Sequence, residues 1–210
     1  MRPVMSEATK DKRGMGMNGK PRILDREIPD IGVSSSVPGT EPGSYKICLS
    51  QGEKYFYLML WWNDDVDTIE TQVVLNKEDT NAIAEKLGCR KFNNGRTAMT
   101  TDFLVTMKDK TRVAYSLKAS RKDIENERTK KKLEMEFLYW KARNIECHLV
   151  FKEDFDPVFC ANLADVYAAY DDRFLCDDIG LVRHLIAHKK IQVDMSKPLD
   201  YQALLQEKGD

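Results

Sequence analysis

The sequence predicts an α/β protein, a mixed sheet flanked by helices, with a small helical appendage at its C-terminal end. Three observations carry that prediction. Residues 67–75 (DTIETQVVL) alternate polar and apolar side chains with the period of two that a half-buried strand requires. Residues 98–107 and 111–118 lie on either side of a KDK turn, which makes them a hairpin. Around these strands stand segments with helix signals. Ser50 opens an apolar-rich helix running through Trp62, and KEDTNAIAEKLG (77–88) is a short helix closed by Gly88.

A long charged helix is expected from about Arg121 to Arg143. Its Leu133, Phe137 and Trp140 fall at i, i+4 and i+7, one stripe that packs on a sheet. CHLVF (147–151) is the last strand. Beyond it, PVFCANLADVYAAY and IGLVRHLIAHKK read as helices, and IQVDMSKPL follows them. The chain thus divides into an arm rich in Gly, Pro, Ser and basic residues (1–45), an α/β domain (46–153) and the appendage (154–210).

Composition narrows the function classes. At 210 residues and 24.2 kDa, with 42% hydrophobic and 32% charged residues, the chain has material for one sizeable core and is expected to be soluble. YFYLMLWW (55–62) falls far short of the roughly 18 apolar residues of a membrane span. The N-terminus shows neither an apolar h-region nor a small-residue cleavage site, so secretion is not expected. The five cysteines (48, 89, 147, 160, 176) are odd in number and never in C-x-x-C spacing. That pattern argues against a disulfide framework and a structural zinc, and for a reducing cytoplasm.

A formal net charge of -1 does not announce a nucleic-acid binder, but residues 1–26 hold seven Lys or Arg against three Asp or Glu. Lys12, Arg13, Lys20 and Arg22 of that arm are its candidates for phosphate contact, although most basic tails are simply solvated. GMGMNG in the same arm matches G-x-G-x-x-G only formally. No strand precedes it and Pro21 follows almost at once, so a dinucleotide site is excluded.

The chemistry concentrates in the hairpin. Residues two apart in a strand share a face, so Ala114, Ser116 and Lys118 oppose Val113, Tyr115 and Leu117. Hairpin pairing brings Asp102 near Ser116 and Lys118. Alone, that placement describes a surface cross-strand ion pair, worth less than about 1 kcal/mol. Glu53, in the first helix, also has a structural role to hand. Ser50-x-x-Glu53 is a capping box, in which the Glu side chain reaches back to the N-cap amide. Taken together, a helix carboxylate, a strand Asp and a polar-x-Lys on the next strand stand in the order of the PD-(D/E)xK nuclease core. In such a core, acidic ligands hold Mg²⁺ or Mn²⁺ against the scissile phosphate. The Lys positions or activates the attacking water and offsets charge building on the phosphorane.

The surrounding text is more specific than the order of residues. LSQGEKYFYLMLWWNDDVDTIETQVVL, MTTDFLV, YSLKAS and ERTKKKLEMEFLYWKARNI resemble, in order and spacing, the TnsA endonuclease subunit of Tn-seven-type heteromeric transposases. The resemblance spans about residues 46–152, and KRGMGMNGK is similar to the family's basic lead-in. It implies a restriction-endonuclease-like fold, with Glu53 and Asp102 as metal-binding carboxylates and Lys118 as the catalytic lysine. Two residues before the lysine, many nucleases of this fold carry Glu or Asp, and the best known TnsA proteins carry Gln. Here it is Ser116, a short neutral ligand that would hold a metal less tightly or through water. Glu134 and Glu136 match the acidic pair on the family's long helix, and both are expected on its solvated face in ion pairs rather than as ligands.

The resemblance also implies an activity: Mg²⁺-dependent cleavage (Mn²⁺ able to substitute) of the 5′ strand at each transposon end. The implied partners are transposon-end DNA, a DDE transposase (TnsB-like) that cuts and joins the other strand, and an AAA+ regulator (TnsC-like), in a bacterial cytoplasm with no membrane involved. The alternative is a nuclease-fold scaffold that bridges transposase and regulator without cutting, and Ser116 is the feature that feeds it. In the appendage, DDIGLVRHLIAHKKIQVDMSKPL offers the helix, turn and short strand of a reduced winged-helix-like module suited to protein contact. His184 and His188, spaced i, i+4 with no third ligand nearby, are expected to be ordinary helix-surface residues. Trp61, Trp62 and Trp140 are expected in the core.

Overall fold

A computed structural model describes residues 35–38, 45–172, 175 and 177–206. The basic residues Lys12, Arg13, Lys20 and Arg22, and Cys176, lie outside the described residues. In chain order the elements are β1 (Ser35–Pro38), β2 (Tyr45–Cys48), α1 (Gln51–Trp62), β3 (Val66–Val74), α2 (Lys77–Lys86), β4 (Thr100–Met107), β5 (Arg112–Lys118), α3 (Glu127–Lys141), β6 (Glu146–Phe151), α4 (Pro157–Ala168), α5 (Asp178–Ala187) and α6 (Tyr201–Gln206).

Four strands form the main sheet in the order β3-β4-β5-β6. The first two pairings are antiparallel, and β6 runs parallel to β5 after the α3 crossover. A parallel neighbour needs such a crossover, which a two-residue turn cannot supply. β1 and β2 pair as a separate antiparallel ribbon, so the end of the arm contains a strand that the sequence did not announce.

Alternation along β4 builds two cores. Phe103 and Val105 face a cluster with Phe56, Tyr57 and Leu58 of α1, Leu163 and Val166 of α4, and Val182 and Ile186 of α5. Leu104, with Ala114 of β5, faces Ala84 of α2 and Met135, Tyr139 and Trp140 of α3. The result is a helix–sheet–helix sandwich in which the C-terminal helices share the core of α1. Burying an aromatic such as Phe103 completely is worth roughly 1.5–3 kcal/mol. Its ring sits edge-on to Phe56 at 5.2 Å between centroids.

Three local expectations are corrected. The charged helix is not continuous from Arg121. A 3₁₀ turn over Arg121–Ile124, capped by Ser120, is followed by a fresh start at Asn126. The Asn126 carboxamide oxygen accepts the amides of Arg128 and Thr129, and its own backbone is extended, so the turn before it cannot join the helix. The packed face of α3 is also wider than the predicted stripe. Leu133 and Trp140 are buried as expected, but Met135, Glu136 and Tyr139 are buried with them, while Phe137 is only half-buried.

Finally, IQV forms no strand of a wing: Ile191 N–H turns back to the Leu185 carbonyl at the end of α5, and the segment that follows is tied down by a side chain. Asn162 Nδ2 donates to the carbonyls of Met195 (2.9 Å) and Lys197 (2.7 Å), while Ile191 and Met195 enter the core. His184 and His188 likewise act as a clamp between helices. Their ring nitrogens lie 2.9 Å from the Ala169 carbonyl and 3.0 Å from the Tyr170 carbonyl, at the end of α4. Trp140 is buried, and Trp61 packs edge-on to Tyr167 and Tyr170.

Candidate active site

The β4–β5 ladder runs from Thr106↔Arg112 to Phe103↔Tyr115. Beyond that pair the Asp102 carboxylate takes over: its Oδ2 accepts the Leu117 backbone N–H at 2.6 Å. A side chain thus replaces a strand carbonyl, and the hairpin opens at the end where Asp102, Ser116 and Lys118 gather. No ion pair joins Asp102 to Lys118 among the described residues, so the cross-strand salt bridge that hairpin pairing suggested does not form. Lys118 folds back instead, its Nζ donating to the Leu117 carbonyl at 2.7 Å and lying 3.4 Å from Ser116 Oγ. Ser116 is almost wholly buried.

Glu53 approaches this end from the first turn of α1. Gly52 allows the approach, since a Cβ there would meet Lys152 at 3.2 Å and Leu117 at 3.4 Å. The capping box is realised in displaced form. Ser50 Oγ accepts the Glu53 amide (3.1 Å), but the Glu53 carboxylate bypasses the Ser50 amide and accepts Leu49 N–H on Oε2 (2.8 Å). The same Oε2 accepts Gln72 Nε2 at 3.0 Å.

Sequence reasoning missed Gln72. It is buried in the middle of β3 with φ +51°, between the pairs Thr71↔Phe103 and Val73↔Thr101. A left-handed non-glycine residue inside a strand is a strained conformation that the surroundings must impose. Here it accompanies a neutral donor delivered to a buried carboxylate. In the sequence Gln72 interrupts the TIETQVV alternation with nothing more than one long polar residue, so no signal marked it.

Glu136 corrects a second expectation. Its neighbour Glu134 does sit on the solvated face, paired with Lys131 at 2.8 Å. Glu136, by contrast, is 1% exposed and its Oε1 has no hydrogen-bond partner. The nearby Thr101 hydroxyl favours its charged form and also accepts Trp140 Nε1–H at 2.8 Å, which pins α3 against β4 beside Asp102.

Electrostatics ties these groups together. Burial pushes the Glu53 carboxyl above its ordinary range, and the charge of Asp102 pushes it further. Glu136 is raised by the same two causes in the same order. Burial, then Glu136 and Asp102, hold the Cys147 thiol up at about 12. Three carboxylates therefore lie near one another, two of them buried, while Lys118 is turned onto its own strand. Like charges so placed disfavour ionisation unless a cation joins them. The donors are hard oxygens, which fits Mg²⁺ or Mn²⁺, and an orphaned buried carboxylate oxygen adds to that fit. Among the described residues, however, no three acidic, His or Cys side chains converge closely enough to hold a metal as they stand. Closing the site requires side-chain movement.

A four-stranded mixed sheet between helices, with carboxylates and a lysine at the open end of its central hairpin, is a restriction-endonuclease-like nuclease fold. Residues 63–151 match the family described as TnsA-like endonuclease N terminal. That match includes Asp102, Ser116 and Lys118, and leaves Glu53 just outside. Along 207 residues the chain is 28% identical to the transposon Tn7 transposition protein TnsA of Escherichia coli, covering 96% of this chain and 70% of that protein. Among the described residues no helix is long and apolar enough to cross a membrane.

Proposed function

We propose that the chain is the DNA-cleaving subunit of a transposase complex, hydrolysing the 5′ strand at transposon ends with Mg²⁺ or Mn²⁺. The observation that carries this reading is the opened end of the β4–β5 hairpin, where Asp102 caps the Leu117 amide beside Glu53 and Lys118. Excision then follows from the complementary cut made by a DDE transposase, with an AAA+ regulator as further partner. The near-neutral net charge accords with delegating sequence recognition to those partners.

Glu53 and Asp102 would hold the metal, which when bound polarises the scissile phosphate and lowers the pKa of water. Each carboxylate is oriented by neutral donors. Leu117 N–H holds Asp102 Oδ2, Leu49 N–H with Gln72 Nε2 holds Glu53 Oε2, and the Ser50 hydroxyl donates to Glu53 Oε1 at 3.3 Å, a long bond that a metal would displace. Lys118 swings from the Leu117 carbonyl toward the reacting phosphate, where its ammonium orients the attacking water and offsets the charge that builds. Ser116 supplies a neutral hydroxyl beside that amine. It adds no charge to the carboxylate group, and its oxygen accepts from Lys118 Nζ only at 3.4 Å. The arm residues Lys12, Arg13, Lys20 and Arg22 supply phosphate contacts, and the segment from 154 onward supplies the surface for partner proteins.

The test is strand-specific cleavage of transposon-end DNA by the chain with its partner transposase. Wild type cuts the 5′ strand only with Mg²⁺ or Mn²⁺, and chelation stops it. Cuts that persist in both Asp102→Ala and Lys118→Ala sink the catalytic assignment. No 5′ cut by wild type points to the non-cutting scaffold. Ser116→Glu is expected to lower the metal concentration needed for half-maximal cleavage.

A further inference from the structure

Between residues 89–94 and the first half of α3 lies a cavity of about 650 Å³. Phe92 and Met135 line it, and Met135 belongs to the buried core behind it. Five cations, Arg90, Lys91, Arg128, Lys131 and Lys132, line it against one acid, Glu127. Glu127 is already held by Lys130 at 2.6 Å. Lys91 and Lys131 are paired outward, with Glu85 (2.6 Å) and Glu134 (2.8 Å). Arg90, Arg128 and Lys132 have no acidic partner among the described residues, and Lys132 Nζ stands over the Phe92 ring at 5.5 Å.

The arrangement gathers five cations and one acid around an apolar floor. Some exposed cations are matched, as Arg121 is by Glu153 and Asp154, and Lys110 by Asp67, and others stand singly; here five line one concave surface. A local excess of positive charge over an apolar floor, in a chain of net charge -1, concentrates a field suited to an anion with a flat apolar part. The α3 terminus is not the source of that preference, because Asn126 already takes the amides of Arg128 and Thr129. The cavity also adjoins the carboxylates. Lys132 stands one helical turn before Glu136 and stabilises its charge, and Glu136 in turn feels Asp102.

We propose that this cavity is a nucleotide subsite of the nuclease. Backbone phosphates of the DNA lie on Arg90, Arg128 and Lys132, and the sugar or an unstacked base lies against Phe92. The proposal rests on the nuclease reading and adds to it a path for the strand beside the reacting phosphate. Side-chain cations that grip neighbouring phosphates hold the scissile one in register with Asp102 and Glu53, which is how positioning speeds a hydrolysis. An aromatic face adds sequence-tolerant stacking. An acidic peptide would use the cations but not the ring.

The experiment measures binding apart from cutting. The full chain carrying Asp102→Ala is titrated with a fluorescent DNA duplex bearing a single-stranded flank, at several salt concentrations. Arg128→Glu and Arg90→Glu, on exposed positions, should each weaken binding about tenfold and flatten the salt dependence by one to two released counterions, roughly. Phe92→Ala should weaken binding with the salt slope unchanged. Lys110→Glu, at the far end of the hairpin, is the control and should match the parent. Equal affinity and slope in both Arg variants overturns the subsite, as does an equal loss in Lys110→Glu or a parent that shows no salt-dependent binding. Displacement of the DNA by polyglutamate as readily as by unlabelled DNA overturns it in favour of an acidic protein. Arg variants that bind like the parent, while Asp102→Ala abolishes cutting, refute the subsite and leave the nuclease intact. Cutting that survives Asp102→Ala while the Arg variants lose binding refutes the catalytic assignment and leaves the subsite.

Discussion

The two ends of the β4–β5 hairpin treat charge in opposite ways. At the turn, Lys110 meets Asp67 at 2.8 Å and Arg112 meets Glu70 at 3.5 Å, all four in solvent. Both of those cations have an opposite charge, and each pair is worth less than about 1 kcal/mol. At the open end, Asp102 is satisfied by a backbone amide and Glu53 by an amide, a carboxamide and the Ser50 hydroxyl, while Glu136 keeps one oxygen with no partner. The nearby cation, Lys118, rests on a carbonyl. The turn end is arranged for solubility and register. The open end holds negative charges together with neutral donors, which lowers stability and leaves room for a cation that the protein itself does not provide.

Breaking the contrast outright gives the largest effect. Asp102→Ala is expected to bring 5′-strand cleavage below detection, and Lys118→Ala to lower it about a hundredfold or more, in single-turnover assays on end DNA. Lys118→Ala should melt close to wild type, and Asp102→Ala should lose no more than the hydrogen bond that its carboxylate accepts from Leu117, worth about 1 kcal/mol.

Gln72 separates strain from function. Gln72→Gly relieves backbone strain of about 1 kcal/mol, so its melting temperature should hold or rise. Cleavage should nonetheless fall about tenfold and demand more Mg²⁺, because Glu53 loses the donor that orients it. A variant that loses stability and activity in proportion would make Gln72 a packing residue only.

Glu136 gives a smaller effect with a definite pH dependence. Its folded carboxyl titrates above the ordinary value because of burial and then Asp102. The folded state therefore binds the proton more readily than the unfolded state, and stability falls as pH rises through that interval. Glu136→Gln should thus be more stable than wild type at neutral pH, by on the order of 1 kcal/mol. The advantage should shrink as the pH drops toward the ordinary Glu range, as followed by denaturant unfolding at a series of pH values. An advantage that stays constant with pH would mean that Glu136 is ionised as easily when folded as when unfolded.

The smallest effect belongs to the turn. Lys110→Ala should change unfolding free energy by less than about 1 kcal/mol and leave cleavage unaltered. A marked loss of cleavage there would mean that the two ends of the hairpin are not independent.

Much of this contrast was legible in the sequence. Periodicity and caps specify Ser50 as the start of α1, the alternating β3 and the β4–β5 hairpin, because such signals depend on residues a few positions apart. Asp102, Ser116 and Lys118 follow from the same local logic, since a strand's period of two fixes which side chains share a face. Ser120 and Asn126, two capping residues six apart, also mark the break before α3, but the charged stretch around them reads as one helix.

What the sequence by itself determined is the order of elements and the placement of the candidate residues upon them. Only the tertiary structure decided their electrostatic state. Glu136 looks like its solvated neighbour Glu134 until α3 packs on β4 and closes over it. Gln72 is one polar residue among several until β3 takes a left-handed step that carries its amide to Glu53. The cations of the cavity lie some forty positions apart in the chain, and the packing of residues 89–94 against α3 assembles them. Burial and charge proximity are sums over neighbours distant in sequence, so a local pattern of residue types can propose a site but cannot fix its charge.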